Sequence, residues 1–152
     1  MVGVKTRKVL EKNVLPEYMR WLPVIYDKMG GMGRFLKIKR KKQKRLLKGL
    51  SSEERVCEAL YQLKNNPKSR VTRFINTSAI QKLDNIGWDF LLVVVSGAIQ
   101  KFVPVQVKSS LILAKKYAEN HRGENILVIT VEKRDTCLSL MRKIEAGLIR
   151  MP

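Results

Sequence analysis

Asp89 and the tripeptide Gln106-Val107-Lys108 are the residues of this 152-residue chain whose types and spacing could do chemistry together. Asp89 stands in Gly87-Trp88-Asp89-Phe90, at the start of an almost wholly apolar run from Trp88 to Val95. A carboxylate beside such a run is costly unless a metal or a lysine meets it. Further on, Phe102, Pro104, Gln106 and Lys108 fall on one face of a strand, and Val103, Val105 and Val107 on the other. The valine face reads as core. An amide and an ammonium therefore share the opposite face, at the C-terminal end of that strand. If Ser96-Gly97-Ala98 turns a hairpin, the start of the first strand lies beside the end of the second, and Asp89 beside Gln106.

Magnesium prefers oxygen ligands, retains waters and bridges to phosphate. Asp89 offers a charged oxygen, Gln106 a neutral amide oxygen and Val107 a backbone carbonyl. Lys108 then stands where it could orient an attacking water or offset charge building on phosphorus. The chemistry this predicts is phosphodiester cleavage with Mg2+ or Mn2+. A helix acid could complete the shell. Glu53, three residues before Val56 and seven before Leu60, falls nearest the apolar stripe; Glu54 is the second choice and Glu58 the third. Each residue also has a plainer reading. A strand-end lysine beside Gln and Asp can be a surface ion pair, the two glutamates can be helix-capping acids, and Asp84 is most simply a turn former.

The elements that must hold these residues are legible in outline. Helical character dominates from Lys37 to Asn65, with Ser51 and Ser52 as a start ahead of Glu53 and Glu54. Asn65-Asn66-Pro67 ends it. Arg70 to Ile75 alternates as a first strand, Trp88 to Val95 is the second and Gln100 to Lys108 the third. Ser109 to His121 reads as a helix with Leu111, Ala114, Tyr117 and Ala118 inward; Ser109 and Ser110 cap it or touch a phosphate, the cap being the simpler reading. Ile126 to Val131 is a short buried strand and Thr136 to Leu148 a closing helix. The predicted class is α/β, in the order α-β-β-β-α-β-α, with a mixed central sheet flanked by helices. Trp21, Trp88, Tyr117, His121 and Cys57 are assigned only packing or surface roles.

The chain carries 31 Lys and Arg against 13 Asp and Glu, a net charge of +18, and the excess is unevenly placed. Residues 1–50 hold 15 cations and 3 acids, a net of 15 − 3 = +12; the remainder holds 16 and 10, or +6. From Arg34 to Lys48 there are nine cations and no acid. Such a block attracts phosphate backbones with little sequence preference. Lys37, Lys39, Arg40, Lys41, Lys42, Lys44 and Arg45, with Ser109, are therefore the candidate nucleic-acid contacts. Residues 1–50 form a basic N-terminal arm with a Gly-rich break at 30–33, and residues 51–152 the main domain. The arm's apolar cluster around Trp21 is a candidate packing or dimer surface. No run approaches the ~20 apolar residues of a membrane span. Two distant cysteines and the absence of an h-region predict a reduced, intracellular and cytoplasmic setting, and a single His121 argues against His-based zinc.

The order of elements, with Glu53 or Glu54, Asp89 and Gln106-Val107-Lys108, resembles the PD-(D/E)XK nuclease superfamily, which includes archaeal Holliday-junction resolvases and many restriction endonucleases. The resemblance covers roughly Ser51 to Leu148. It implies a restriction-endonuclease-like core, Asp89 and Gln106 as metal ligands and Lys108 as the catalytic lysine. Gln106 stands where most members carry Glu or Asp, which removes one negative charge and implies weaker metal affinity. The expected function is a metal-dependent DNA endonuclease. The alternative is a non-catalytic nucleic-acid-binding protein on a degenerate nuclease scaffold, with a ribosome-associated or RNA-processing role third.

Overall fold

β-branched residues at alternate positions, interrupted by short turns, give this chain a four-stranded mixed sheet. The computed structural model describes residues 39–77 and 86–152, with residues 24, 30, 31, 33, 34 and 37 ahead of them. The cluster around Trp21 and the loop residue Asp84 lie outside the described residues. The chain divides into two compact units, Met1–Ser51 and Ser52–Pro152.

Helix α1 spans Arg40–Asn65 without a break. The expected start at Ser51 and Ser52 is therefore corrected: both serines are mid-helix, and Ser52 is buried. The reason is local. Residues 40–50 are mostly Arg, Lys, Gln and Leu, which favour helix, and the lone Gly49 is too weak a breaker to stop it. In the first unit, α1 exposes Arg40, Lys41, Lys42, Lys44, Arg45 and Lys48 and buries Gln43 and Leu47.

In the second unit, β1 (Val71–Asn76) pairs antiparallel with β2 (Phe90–Ser96), and β2 pairs antiparallel with β3 (Ile99–Lys108). Gly97, with φ +63°, makes the tight turn of the β2–β3 hairpin. Helix α2 (Leu111–Asn120) then carries the chain over to β4 (Leu127–Thr130), which pairs parallel with β3. The sheet order is β1-β2-β3-β4, and α3 (Cys137–Arg150) closes the chain. Period-two alternation sends Phe90, Leu92 and Val94 of β2, and Val103, Val105 and Val107 of β3, into one core. There they join Val56, Ala59, Leu60 and Leu63 of α1 and Leu140, Ile144 and Leu148 of α3. Each fully buried aliphatic side chain contributes roughly 1.5–3 kcal/mol. α3 also approaches β4 closely: a Cβ on Gly147 would stand 2.3 Å from Leu127 Cδ1.

Both C-terminal helices are capped by hydroxyls. Ser110 accepts the N–H of Leu113 at 3.3 Å, and Thr136 forms a reciprocal box with Ser139. The inner face expected for α2 is corrected. Only Ala114 is buried, whereas Leu111 and Ala118 are exposed and Tyr117 is half-buried. The ten-residue helix packs on β3 and β4 through one short stretch, which covers only Ala114. Opposite the cap of α3, Asp135 accepts from the Glu132 N–H (2.7 Å), Ser139 Oγ (2.9 Å) and Lys143 Nζ (2.6 Å). Arg55 of α1 donates to the carbonyls of Glu132 and Asp135, tying the first helix of this unit to the same corner.

Candidate functional site

Asp89 is positioned by backbone on both sides. Gly87, with φ +86°, turns the chain into Trp88 and Asp89, a conformation few other residues adopt. The Asp89 N–H donates to the Val105 carbonyl at 2.9 Å, extending the β2–β3 ladder one residue past the strand. On its other side, the fully buried Thr77 donates its N–H to the Asp89 carbonyl at 3.1 Å and its hydroxyl to the Trp88 carbonyl. Phe90 faces the core opposite Val105, so alternation turns the Asp89 side chain to the face carrying Gln106. Thr77 had no sequence signal. It sits in a polar connection, and only the fold shows that it clamps this backbone.

The Asp89 carboxylate meets Gln106 and Val107 directly. Its Oδ2 accepts from Gln106 Nε2 at 2.7 Å and from the Val107 N–H at 2.6 Å. Gln106 is only 7% exposed, and Nε2 also lies 3.5 Å from the Val107 carbonyl. Its other amide atom, Oε1, is buried and has no hydrogen-bond partner. Leaving such an acceptor unsatisfied costs about 1–3 kcal/mol. The residue types alone predicted a metal or a lysine to resolve the Asp89 charge. In the structure two N–H donors from β3 point at its Oδ2.

Lys108 shares the Gln106 face of β3, but its Nζ lies over the Tyr117 ring of α2, 4.6 Å from the centroid. The other ring contact of Tyr117 is His121, stacked at 4.1 Å and 25°. His121 Nδ1 in turn lies 3.1 Å from Glu124 Oε1. Burial raises the Tyr117 phenol above its ordinary pKa, and the negative charges of Glu124 and Asp89 add to the shift. The Asp89 charge thus reaches the Tyr117 phenol, and Lys108 lies against the same ring. Tyr117 and His121, given no part beyond packing or surface, belong to the surroundings of Lys108. Their i, i+4 spacing on one helix face was the available signal.

Of the helix acids, Glu53 is half-buried in line with Val56 and Leu60, and Glu54 is exposed. Burial raises the Cys57 thiol and the Glu54 charge adds to it; burial raises the Cys137 thiol and the Glu58 charge adds to that. Among the described residues no group of three or more His, Cys, Asp or Glu side chains could hold a metal ion. The donors that do converge are one carboxylate, one carbonyl and, with its amide turned, the unpartnered oxygen of Gln106. That set fits a hard cation of modest affinity. Lys37, Lys39, Arg40, Lys41, Lys42, Lys44 and Arg45 are exposed, and Ser109 is half-buried.

No protein-family model, curated protein or solved structure matches the chain. Among the described residues no helix is long and apolar enough to cross a membrane.

Proposed function

We propose that the protein is a metal-dependent endonuclease of the PD-(D/E)XK type acting on DNA. The observation that carries this reading is the convergence of Asp89, Gln106 and Val107 within 2.6–2.7 Å contacts at the junction of β2 and β3, with Lys108 on the same strand face. The element order and the mixed sheet with its antiparallel β2–β3 hairpin support it, because the resemblance implies an α-β-β-β-α-β core. The +18 charge favours a polyanionic substrate.

Asp89, the Gln106 amide oxygen and the Val107 carbonyl are the groups that would hold Mg2+ or Mn2+, with Glu53 as the first helix acid and Glu54 as the second. Such a cation, when bound, supplies Lewis-acid charge to phosphate and lowers the pKa of a coordinated water. The chain's own part is to hold the carboxylate in place through Thr77 and Val105, and to offer Lys108 to the attacking water or the developing negative charge. Lys108 reaches that task by leaving the Tyr117 ring, a contact of about 0.5–2 kcal/mol between two half-buried side chains. The exposed cations of α1 grip the phosphate backbone.

Incubating the protein with linear, nicked and four-way DNA, with Mg2+ or Mn2+ and then with EDTA, tests the reading. Metal-dependent cleavage of at least one substrate is expected. No cleavage of any, with salt-sensitive binding retained, would favour the second reading of a non-catalytic nucleic-acid binder. That reading draws on the parked position of Lys108 over Tyr117.

A further inference from the structure

Two of the three oxygens assigned above to a cation already converge on something else. Gln106 Nε2 lies 2.7 Å from Asp89 Oδ2 and 3.5 Å from the Val107 carbonyl. The third oxygen, Gln106 Oε1, is buried with no partner. The amide orientation is fixed by its neighbours: turning it over without a cation would set Oε1 against Asp89 Oδ2, acceptor against acceptor. We infer that Gln106 keeps the pocket assembled without metal by placing its own amide nitrogen in the cation's position, so that metal binding exchanges one amide orientation for the other. The inference rests on the metal-dependent reading above.

The physical case has three parts. An amide NH2 is a donor of nearly the right size to bridge a carboxylate and a carbonyl, so it can stand in for a cation at no net charge. The terminal torsion of Gln is broad and two-fold, so nitrogen and oxygen can exchange within the same volume. A Glu at this position has no N–H in either orientation. Two carboxylates so close cannot both stay ionised without a cation between them. Gln106 thus gives up metal affinity in return for a pocket that stays ordered when empty, and the unpartnered Oε1 is the cost of that choice.

The test compares wild type with Gln106→Glu by thermal melting in EDTA and in saturating Mg2+, and follows the Gln106 side-chain NH2 of wild type by NMR. In EDTA the Glu variant should melt lower by roughly 5–10 °C, and Mg2+ should raise its melting temperature more than that of wild type. An equal or higher melting temperature for the Glu variant in EDTA would overturn the inference. Should that variant not fold, wild type decides alone. Mg2+ should shift the Gln106 NH2 resonances together with the Val107 N–H, and a shift of Val107 with Gln106 unmoved overturns the exchange. A loss in EDTA with no Mg2+ response in either protein overturns the metal reading itself, and the exchange with it, leaving only the hydrogen bond to Asp89.

Discussion

Asp135 and Asp89 each accept two or more short hydrogen bonds, yet the polar atoms around the two carboxylates are not equally satisfied. Around Asp135 the donors are a backbone N–H, a hydroxyl and an ammonium. Lys143 also reaches the Thr130 carbonyl at 3.1 Å, and Arg55 reaches the carbonyls of Glu132 and Asp135. Two of the donors to Asp89 are the Gln106 amide nitrogen and the Val107 N–H, and the same amide leaves a buried oxygen unpartnered. A corner built for stability satisfies the polar atoms around it. A corner that keeps a polar atom unsatisfied departs from that rule, and such departures concentrate at functional sites.

The largest expected effect separates the two corners by activity. Asp89→Ala should lower Mg2+-dependent DNA cleavage at least ~10²–10³-fold, while leaving binding to the same DNA intact or tighter, as read by cleavage kinetics and a binding titration. Asp135→Asn should leave cleavage within the range of wild type when compared below its melting transition. An Asp89 variant that cuts normally erases the distinction.

Stability should separate them the other way. Burial raises the Asp135 carboxyl, but hydrogen bonds from Lys143, the Glu132 N–H and Ser139 outweigh it and hold the group below its ordinary value. A carboxyl depressed by folding adds stability above its unfolded pKa and loses it as pH falls through the lower folded value. Asp135→Asn should therefore cost about 1–3 kcal/mol at neutral pH by urea unfolding. The difference from wild type should shrink on acidification below the usual carboxylate range. A gap that persists unchanged in acid would mean that the ion pair is not its source.

Gly147→Ala tests the packing on which the β4 side of the sheet relies. The new methyl would meet Leu127 Cδ1 at 2.3 Å. Overpacking of about 1–3 kcal/mol then opposes a helix-propensity gain of about 1 kcal/mol. A net loss of stability is expected, with metal response unchanged. The smallest effect concerns the arm. Replacing Lys41, Lys44 or Arg45 singly by Gln should weaken DNA binding for all sequences alike. Each should flatten the slope of log affinity against log salt by about 0.9 for every phosphate that the variant no longer neutralises. An unchanged slope would remove that residue from the interface.

The hairpin and the meeting of Asp89 with Gln106 are legible in the chain because strands report themselves twice, by alternation and by the residues at their turn. Val103, Val105 and Val107 face the core, Gly97 turns the chain, and Asp89 and Gln106 meet as the alternation requires. The helical run from Lys37 to Asn65 is legible, but the start placed at Ser51 and Ser52 is not there, because Ser-Ser-Glu-Glu resembles a cap whether or not a helix already runs through it. Capping chemistry is visible in sequence, but the absence of a break before it is not. The inner face of α2 escapes for a related reason, since Leu111 has the spacing of a core residue and yet is exposed. Thr77, Tyr117 and the corner built by Arg55, Asp135 and Lys143 depend on contacts between segments far apart in the chain. Local patterns do not encode those.

The most direct test of the central claim is Mn2+-induced paramagnetic broadening of backbone amides in wild type and Asp89→Ala. Selective loss of the resonances of Asp89, Gln106 and Val107 in wild type, at Mn2+ levels that leave the variant's Gln106 and Val107 signals sharp, is the predicted result. Uniform weak broadening across the molecule, or the same localised broadening in both proteins, would contradict it.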